Sequence, residues 1–235
     1  MSARTRDRLS RYCYQRRVVL GNVIAFAGFV AVLFDRNASI DASRLLAGAS
    51  IGLLGFSLRI WASSYQWHNI ARALPESRTG LITAGPYALM RHPIYVGMIL
   101  LTAGIFIAFG SWLAVVLALI PTILINYWQA WYEDRFLLER YGRSAETYRK
   151  HLWRFFPKFW NPYPVRQGEF SLAQGIKFDI GPLSAFVCFI AFMLVSSAYR
   201  KPDLTMTLGA LIVAVLLSFL FTLLTRRLFN REFSQ

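Results

Sequence analysis

The chain has 235 residues, of which 56% are hydrophobic and 16% charged, and its mean hydropathy is +0.41. That balance excludes a water-soluble globular domain and fits a chain that buries itself in lipid. The formal net charge is +14, yet the basic residues are spread along segments that flank apolar runs, which excludes nucleic acid as a partner.

Apolar runs long enough to cross a hydrocarbon core of about 30 Å lie at about 18–34, 45–62, 94–109, 112–131, 181–198 and 207–225. The fold class read from them is all-α: a polytopic integral membrane protein with about six transmembrane helices. The third run is short and spans only with its flanks. Residues 1–17 hold six arginines, and no small-residue cleavage site follows the first run, so that run is expected to stay as a helix.

The 26 Lys and Arg residues orient these spans. Six fall in the N-terminal arm, three in 63–93, nine in 132–180 and three in the C-terminal tail, which is 21 on one side. Arg36, Arg44, Arg200 and Lys201 lie on the other, and Arg59 sits inside span two near its inner end. The positive-inside rule then predicts that both termini and the Arg91-His92 segment face the cytoplasm. The bilayer is the expected partner, with attraction to anionic headgroups as a secondary effect. Oligomeric state is open.

Two cysteines are too few for a disulfide framework. Cys13, in the basic arm, offers a thiol for lipidation, and Cys188 reads as a small apolar core residue. His68, His92 and His151 share no metal-ligand spacing, so no metal site is expected.

Polar chemistry is concentrated in two stretches. The first, Tyr65 to Pro93, turns at Thr83-Ala-Gly-Pro86 and ends in Arg91-His92-Pro93, where proline suits the first helical position. The second, Tyr132 to about Phe159, carries apolar residues at Phe136, Leu137, Tyr141, Tyr148 and Leu152, which predicts an amphipathic helix interrupted at Gly142. Pro157, Pro162 and Pro164 end it, and an extended linker is expected up to Ile180. Spans three and four are joined only by about Gly110-Ser111, a tight hairpin tip. Arg91 lies about 19 residues before that tip and Glu133 about 22 after it, so at about 1.5 Å per residue both reach similar depth. Arg91, His92, Tyr95, Glu133 and Asp134 are expected to converge. Singly, such residues are ordinary at a membrane interface, as are Tyr127, Trp128, Trp131 and Tyr132; jointly they point to a site.

The pattern Gly85-Pro-Tyr-x-x-x-Arg91-His92-Pro93-x-Tyr95-x-Gly97, followed by Glu133-Asp134-x-x-Leu137 and by Tyr141-Gly142, Tyr148 and Pro157, resembles the isoprenylcysteine carboxyl methyltransferase and phospholipid methyltransferase superfamily. The resemblance covers roughly 45–157 and takes in Leu81, Thr83 and Arg59-x-Trp61-Ala62. It implies a multi-span helical enzyme that binds S-adenosylmethionine (SAM) at the cytoplasmic face and methylates a lipophilic acceptor. The organisation becomes 1–44, arm and first span; 45–160, methyltransferase core; 161–180, linker; 181–235, a two-span hairpin outside the resemblance. Two positions depart from the pattern: Asp134 stands for a second glutamate, and Ala145 for a tyrosine.

By the resemblance, Arg91 and Glu133 are the expected catalytic residues, and Leu81, Thr83, Gly85, Tyr87, His92, Tyr95, Gly97, Glu133 and Asp134 the cofactor contacts. Arg59, Arg91 and Trp131 are the acceptor contacts. The chemistry of these groups agrees. Methyl transfer from a sulfonium is an in-line displacement that a protein assists by positioning and by excluding water. The faces of Tyr95, Trp131 or Tyr132 suit a sulfonium; Glu133 or Asp134 suits an ammonium or a ribose hydroxyl, and His92 a cofactor carboxylate. The Arg91 guanidinium matches an acceptor carboxylate. Arg59 either lines the acceptor path or snorkels to the interface. The expected function is isoprenylcysteine-carboxyl-type O-methylation or action on a related small lipid. Phospholipid N-methylation, an NADPH-dependent sterol-type reductase and a non-enzymatic scaffold or transporter are the alternatives.

Overall fold

The computed structural model describes residues 3–35, 38, 41–70 and 80–180. Regular structure among them is helical throughout: α1 (Ala3–Gln15), α2 (Arg17–Phe34), α3 (Ala42–Ile70), a 3-10 turn at Gly85–Ala88, α4 (Pro93–Ala108), α5 (Trp112–His151) and α6 (172–180). By length and composition, Ala42–Trp67 and Trp112–His151 can each cross a membrane, and α1 with α2 meets the same test only when the two are counted together across their 77° bend. The runs expected at 181–198 and 207–225, with Cys188, lie outside the described residues, as do Arg36, Arg72, Arg78, Arg200 and Lys201.

The N-terminal arm is helical and packs on α5. Tyr14 stacks against Tyr132 with ring centroids 5.1 Å apart, and Asp7 pairs with Arg135. Cys13 lies on the packed face at 5% exposure, so the thiol expected to be available for lipidation is covered, and burial raises its pKa.

At 16 residues, α4 rises only about 24 Å, short of a hydrocarbon core. Its position is set by close packing along α3, where glycines let the two backbones touch. A Cβ added at Gly55 would lie 2.7 Å from Gly97 O, and one at Gly104 would run into Gly52 N and Gly48 O. Small residues at such crossings maximise van der Waals contact where lipid supplies no hydrophobic drive. The expected hairpin tip is present: Gly110 has φ +65°, and Ser111 caps α5 by accepting from Ala114 N at 3.2 Å. The Ser111 hydroxyl donates to Asp35 at 2.6 Å, tying the end of α2 to the tip.

Helix α5 has 40 residues and would be about 60 Å long if straight, twice the thickness of a hydrocarbon core. Its apolar half is Trp112 to about Trp131; the rest projects beyond. Gly142 interrupts it at φ +50°, ψ −121°, a combination that glycine alone adopts readily. The chain then folds back along the Gly85–His92 turn. Arg91 N donates to Trp153 O, His92 N to Arg154 O, Lys158 N to Leu89 O and Tyr163 N to Ala88 O, at 2.8–3.1 Å. Beneath these bonds Leu81, Tyr148, Leu152 and Tyr163 form a buried cluster, with Leu137 and Tyr141 packed on it.

The stretch expected to be extended up to Ile180 is so only at first. Residues 172–180 form α6, anchored by Ser171 N donating to Ser64 O at 2.8 Å and by Asp179. Asp179 forms an ion pair with Arg59 at 2.5 Å and accepts from Ser63 Oγ at 2.8 Å.

Candidate functional site

The two polar stretches meet where the α3–α4 connection crosses the projecting half of α5. Pro93 opens α4, leaving His92 at its cap with φ −129° and ψ 62° and 4% exposed. Its Nε2 lies 2.8 Å from Asp134 Oδ1 and its Nδ1 3.3 Å from Glu133 Oε2. Asp134 also faces two guanidinium groups: Arg91 Nη1 at 2.9 Å, and Arg154 through Nη2 at 2.9 Å and Nε at 3.0 Å.

Electrostatics follow from this packing. Burial opposes charge on His92, but the attraction and hydrogen bonds of Asp134 and Glu133 outweigh it and raise its pKa above 6.5. Burial likewise opposes charge on Asp134, yet His92, Arg91 and Arg154 together draw its pKa down from 3.8 to about 2. Tyr148, buried, donates to the Tyr87 carbonyl at 2.7 Å, and burial raises its phenol pKa.

A cleft opens beside this network. Leu81, Tyr87, Arg91, His92 and Glu133 line it, and Gln66, Gly80, Ile82, Leu137 and Tyr148 complete its walls. Its cavity is about 20 Å³, room for one or two water molecules. The Arg91 side chain is 10% exposed, and among the described residues its Nε and Nη1 have no hydrogen-bond acceptor. The Nη1 approach to Asp134 is close but out of line with the N–H bond.

Other residues singled out in the sequence fall elsewhere. Thr83 Oγ1 donates to Val165 O at 2.8 Å and accepts from Gln167 N at 3.0 Å, pinning the returning chain. Gly85, with φ +59°, packs against the Tyr65 ring, and Gly97 sits at the α3–α4 crossing, where a Cβ would be 2.5 Å from Arg59 Cγ. Tyr95 stacks on His92, centroids 5.6 Å apart, Tyr132 on Tyr14, and the Trp131 face lies 6.0 Å from the Arg135 guanidinium. Both His92 ring nitrogens face protein carboxylates, Nε2 that of Asp134 and Nδ1 that of Glu133.

Trp131 and Asp134 line a second cleft, with Arg135, Leu138, Arg149 and Arg154, of about 210 Å³. Arg154, Arg149 and Asp179 were not singled out by sequence reasoning. The reversal at Gly142 was the available signal: Asp134 lies eight residues before it and Arg154 twelve after, so a hairpin there brings them together.

Comparison with known proteins adds the family. Residues 43–144 match the phospholipid methyltransferase family, and this segment holds Leu81, Tyr87, Arg91, His92, Glu133 and Asp134. The cobalt-zinc-cadmium resistance protein CzcN of Cupriavidus metallidurans is 32% identical over 118 residues, covering 46% of this chain and 49% of that protein. The chain thus spans about half the length of that curated relative. No solved structure matches. The segment 43–144, on which the Arg91–His92–Asp134 network is built, thus matches the phospholipid methyltransferase family, part of the isoprenylcysteine carboxyl and phospholipid methyltransferase superfamily.

Proposed function

We propose that the protein is an integral membrane methyltransferase that moves a methyl group from SAM to a lipophilic acceptor, with the cleft facing the cytoplasm. One observation carries the reading: Arg91, nine-tenths buried and with its Nε lacking a hydrogen-bond acceptor among the described residues, shares a narrow cleft with Glu133 and His92. Buried, unsatisfied donors are costly, on the order of 1–3 kcal/mol each, unless a ligand completes them. The donor set fits a carboxylate at Arg91 and an ammonium at Glu133. The whole cofactor is far larger than about 20 Å³, so its binding widens the cleft.

When bound, SAM supplies an electrophilic methyl on a positive sulfur. This chain's residues orient and exclude water. Arg91 anchors the acceptor carboxylate, Glu133 holds the ammonium of the donor, and His92 with Asp134 fixes both in place. With a carboxylate acceptor, a new O–CH₃ bond forms as the S–CH₃ bond breaks. The sulfonium and carboxylate charges cancel, so no proton need move. That balance favours isoprenylcysteine-type carboxyl O-methylation or a related small lipid acid. Phospholipid N-methylation, which the matched family's name favours, would instead require a base to take the amine proton, and Glu133 is the group at hand.

The test is transfer of labelled methyl from SAM to a total lipid extract by the reconstituted protein, with mass spectrometry of the product. Label in a methyl ester, lost to mild alkali and reduced at least about 100-fold in Arg91→Ala, is the expected result, a loss of about 2.7 kcal/mol in transition-state binding. Label in an alkali-stable amine headgroup would shift the assignment to N-methylation. No label in any lipid would overturn the methyltransferase reading.

A further inference from the structure

The chain returns from the Gly142 bend through an irregular segment, residues 152–163, whose two ends are buried at Leu152 and Tyr163. Four backbone bonds tie it to the α3–α4 connection: Trp153 O and Arg154 O accept from Arg91 N and His92 N, and Lys158 N and Tyr163 N donate to Leu89 O and Ala88 O. Lys158 Nζ also donates to His151 O at 2.9 Å, and Pro157 and Pro162 stiffen the segment. Phe155 turns inward, its ring 6.2 Å from that of His92. The neighbouring rings turn outward: Phe156 is 72% exposed, Phe159 68%, Trp160 69% and Trp153 49%. Trp153 and Trp160 meet edge to face at 5.3 Å. Four large exposed rings within residues 153–160, on a segment held by its backbone, form an apolar surface that marks an interaction site.

Depth identifies what meets that surface. The apolar half of α5 ends at about Trp131, and Glu133 and Asp134, the partners of His92 and Arg91, follow two and three residues later. At about 1.5 Å per residue, the Arg91-His92 turn and the segment bonded to it stand about 3–5 Å beyond the apolar half. The headgroup layer is about 5–8 Å thick on each side of a hydrocarbon core of about 30 Å, so the segment lies within it. Tryptophan, with an apolar ring body and one N–H, suits that layer. Charge agrees: between Glu146 and Glu169 the chain has five Lys and Arg residues and no Asp or Glu, the sign that anionic headgroups attract.

We propose that residues 153–160 form an interfacial loop, with the Trp153, Phe156, Phe159 and Trp160 rings seated in the headgroup layer of the surrounding bilayer. The loop supplies the backbone acceptors of Arg91 N and His92 N, so its contact with the bilayer steadies the turn on which the candidate site is built. That contact requires neither a methyl donor nor an acceptor. Its failure is therefore separate from failure of the methyltransferase reading.

Nitroxide accessibility in liposomes tests it on the full chain, with Cys13→Ala and Cys188→Ala leaving a single labelled position. A label on Phe156→Cys is compared with one on Glu139→Cys. The Glu139 side chain is 60% exposed and lies eight residues past Trp131, about 12 Å beyond the apolar half. The expected result is at least about 3-fold fewer collisions with a water-soluble nickel chelate at the Phe156 position than at the Glu139 position, and more with oxygen. Equal nickel access at the two positions would put the loop in water and overturn the proposal. Shielding of the Phe156 label from both reagents would overturn it in favour of a protein cover, such as a second copy of the chain. Trp160→Phe keeps an aromatic ring and checks the unlabelled loop. The emission it removes should be quenched by lipids brominated high in their acyl chains and spared by aqueous iodide; quenching by iodide alone would likewise overturn the proposal.

Discussion

Asp134 is the residue on which the site turns, because its carboxylate faces His92, Arg91 and Arg154 at 2.8–3.0 Å while 6% exposed. Replacing one member of a buried charge network strands the others, at about 3–5 kcal/mol. Asp134→Asn is therefore expected to lower the melting temperature by about 6 °C or more in a chain of this size, measured on the detergent-solubilised protein. A pH series adds a sign. The His92 pKa is raised above 6.5, so its contribution to stability is complete below pH 6.5 and is lost as pH rises through the raised value. The Asp134 pKa is lowered from 3.8 to about 2, so its contribution is present above about pH 3.8 and is lost as pH falls toward 2. Melting from pH 4 to 9 should show an alkaline decline that His92→Gln removes; a decline of the same size in the variant would show that His92 is not its source. Arg91, His92 and Glu133 were legible in the sequence because helix rise alone sets their depth. Arg154 was not, because its position depends on which way the chain leaves Gly142.

Two glycines set how the elements are disposed. Gly104→Ala would drive a methyl into the α3 backbone at Gly48 and Gly52, and overpacking of this kind costs about 1–3 kcal/mol. Gly142→Ala meets no atom within 4 Å, so its cost is the backbone strain of φ +50°, ψ −121°, about 1–3 kcal/mol. The two should separate in assay. Gly104→Ala lowers thermal stability, whereas Gly142→Ala also weakens SAM binding, because Tyr148 and Arg154 lie beyond the bend. Gly21→Ala, with open space around it on α2, should leave both unchanged. The hairpin tip and the break at Gly142 were readable from the sequence as Gly110-Ser111 and as a glycine in an amphipathic pattern. The helical N-terminal arm was not: six arginines in 17 residues read as a charge run, and its helicity rests on packing Cys13 and Tyr14 against α5. Helix α6 was missed for a similar reason, since Asp179 becomes an anchor only through its distant partner Arg59.

At the scale of the molecule, composition sufficed for a membrane chain whose described residues are helical, and hydropathy placed the first four apolar runs on helices. Hydropathy could not show that the helix of the fourth run continues past its apolar window as far as the break at Gly142, since that window ends where the polar half begins. That continuity carries Glu133 and Asp134 to the Arg91-His92 turn. The most direct measurement is calorimetry of the detergent-purified full chain with SAM and, separately, with NADPH. Binding of SAM, its loss in both His92→Ala and Glu133→Ala, and no binding of NADPH are the expected results. Absence of SAM binding, or SAM binding unchanged in both variants, would contradict the assignment of this cleft to the methyl donor.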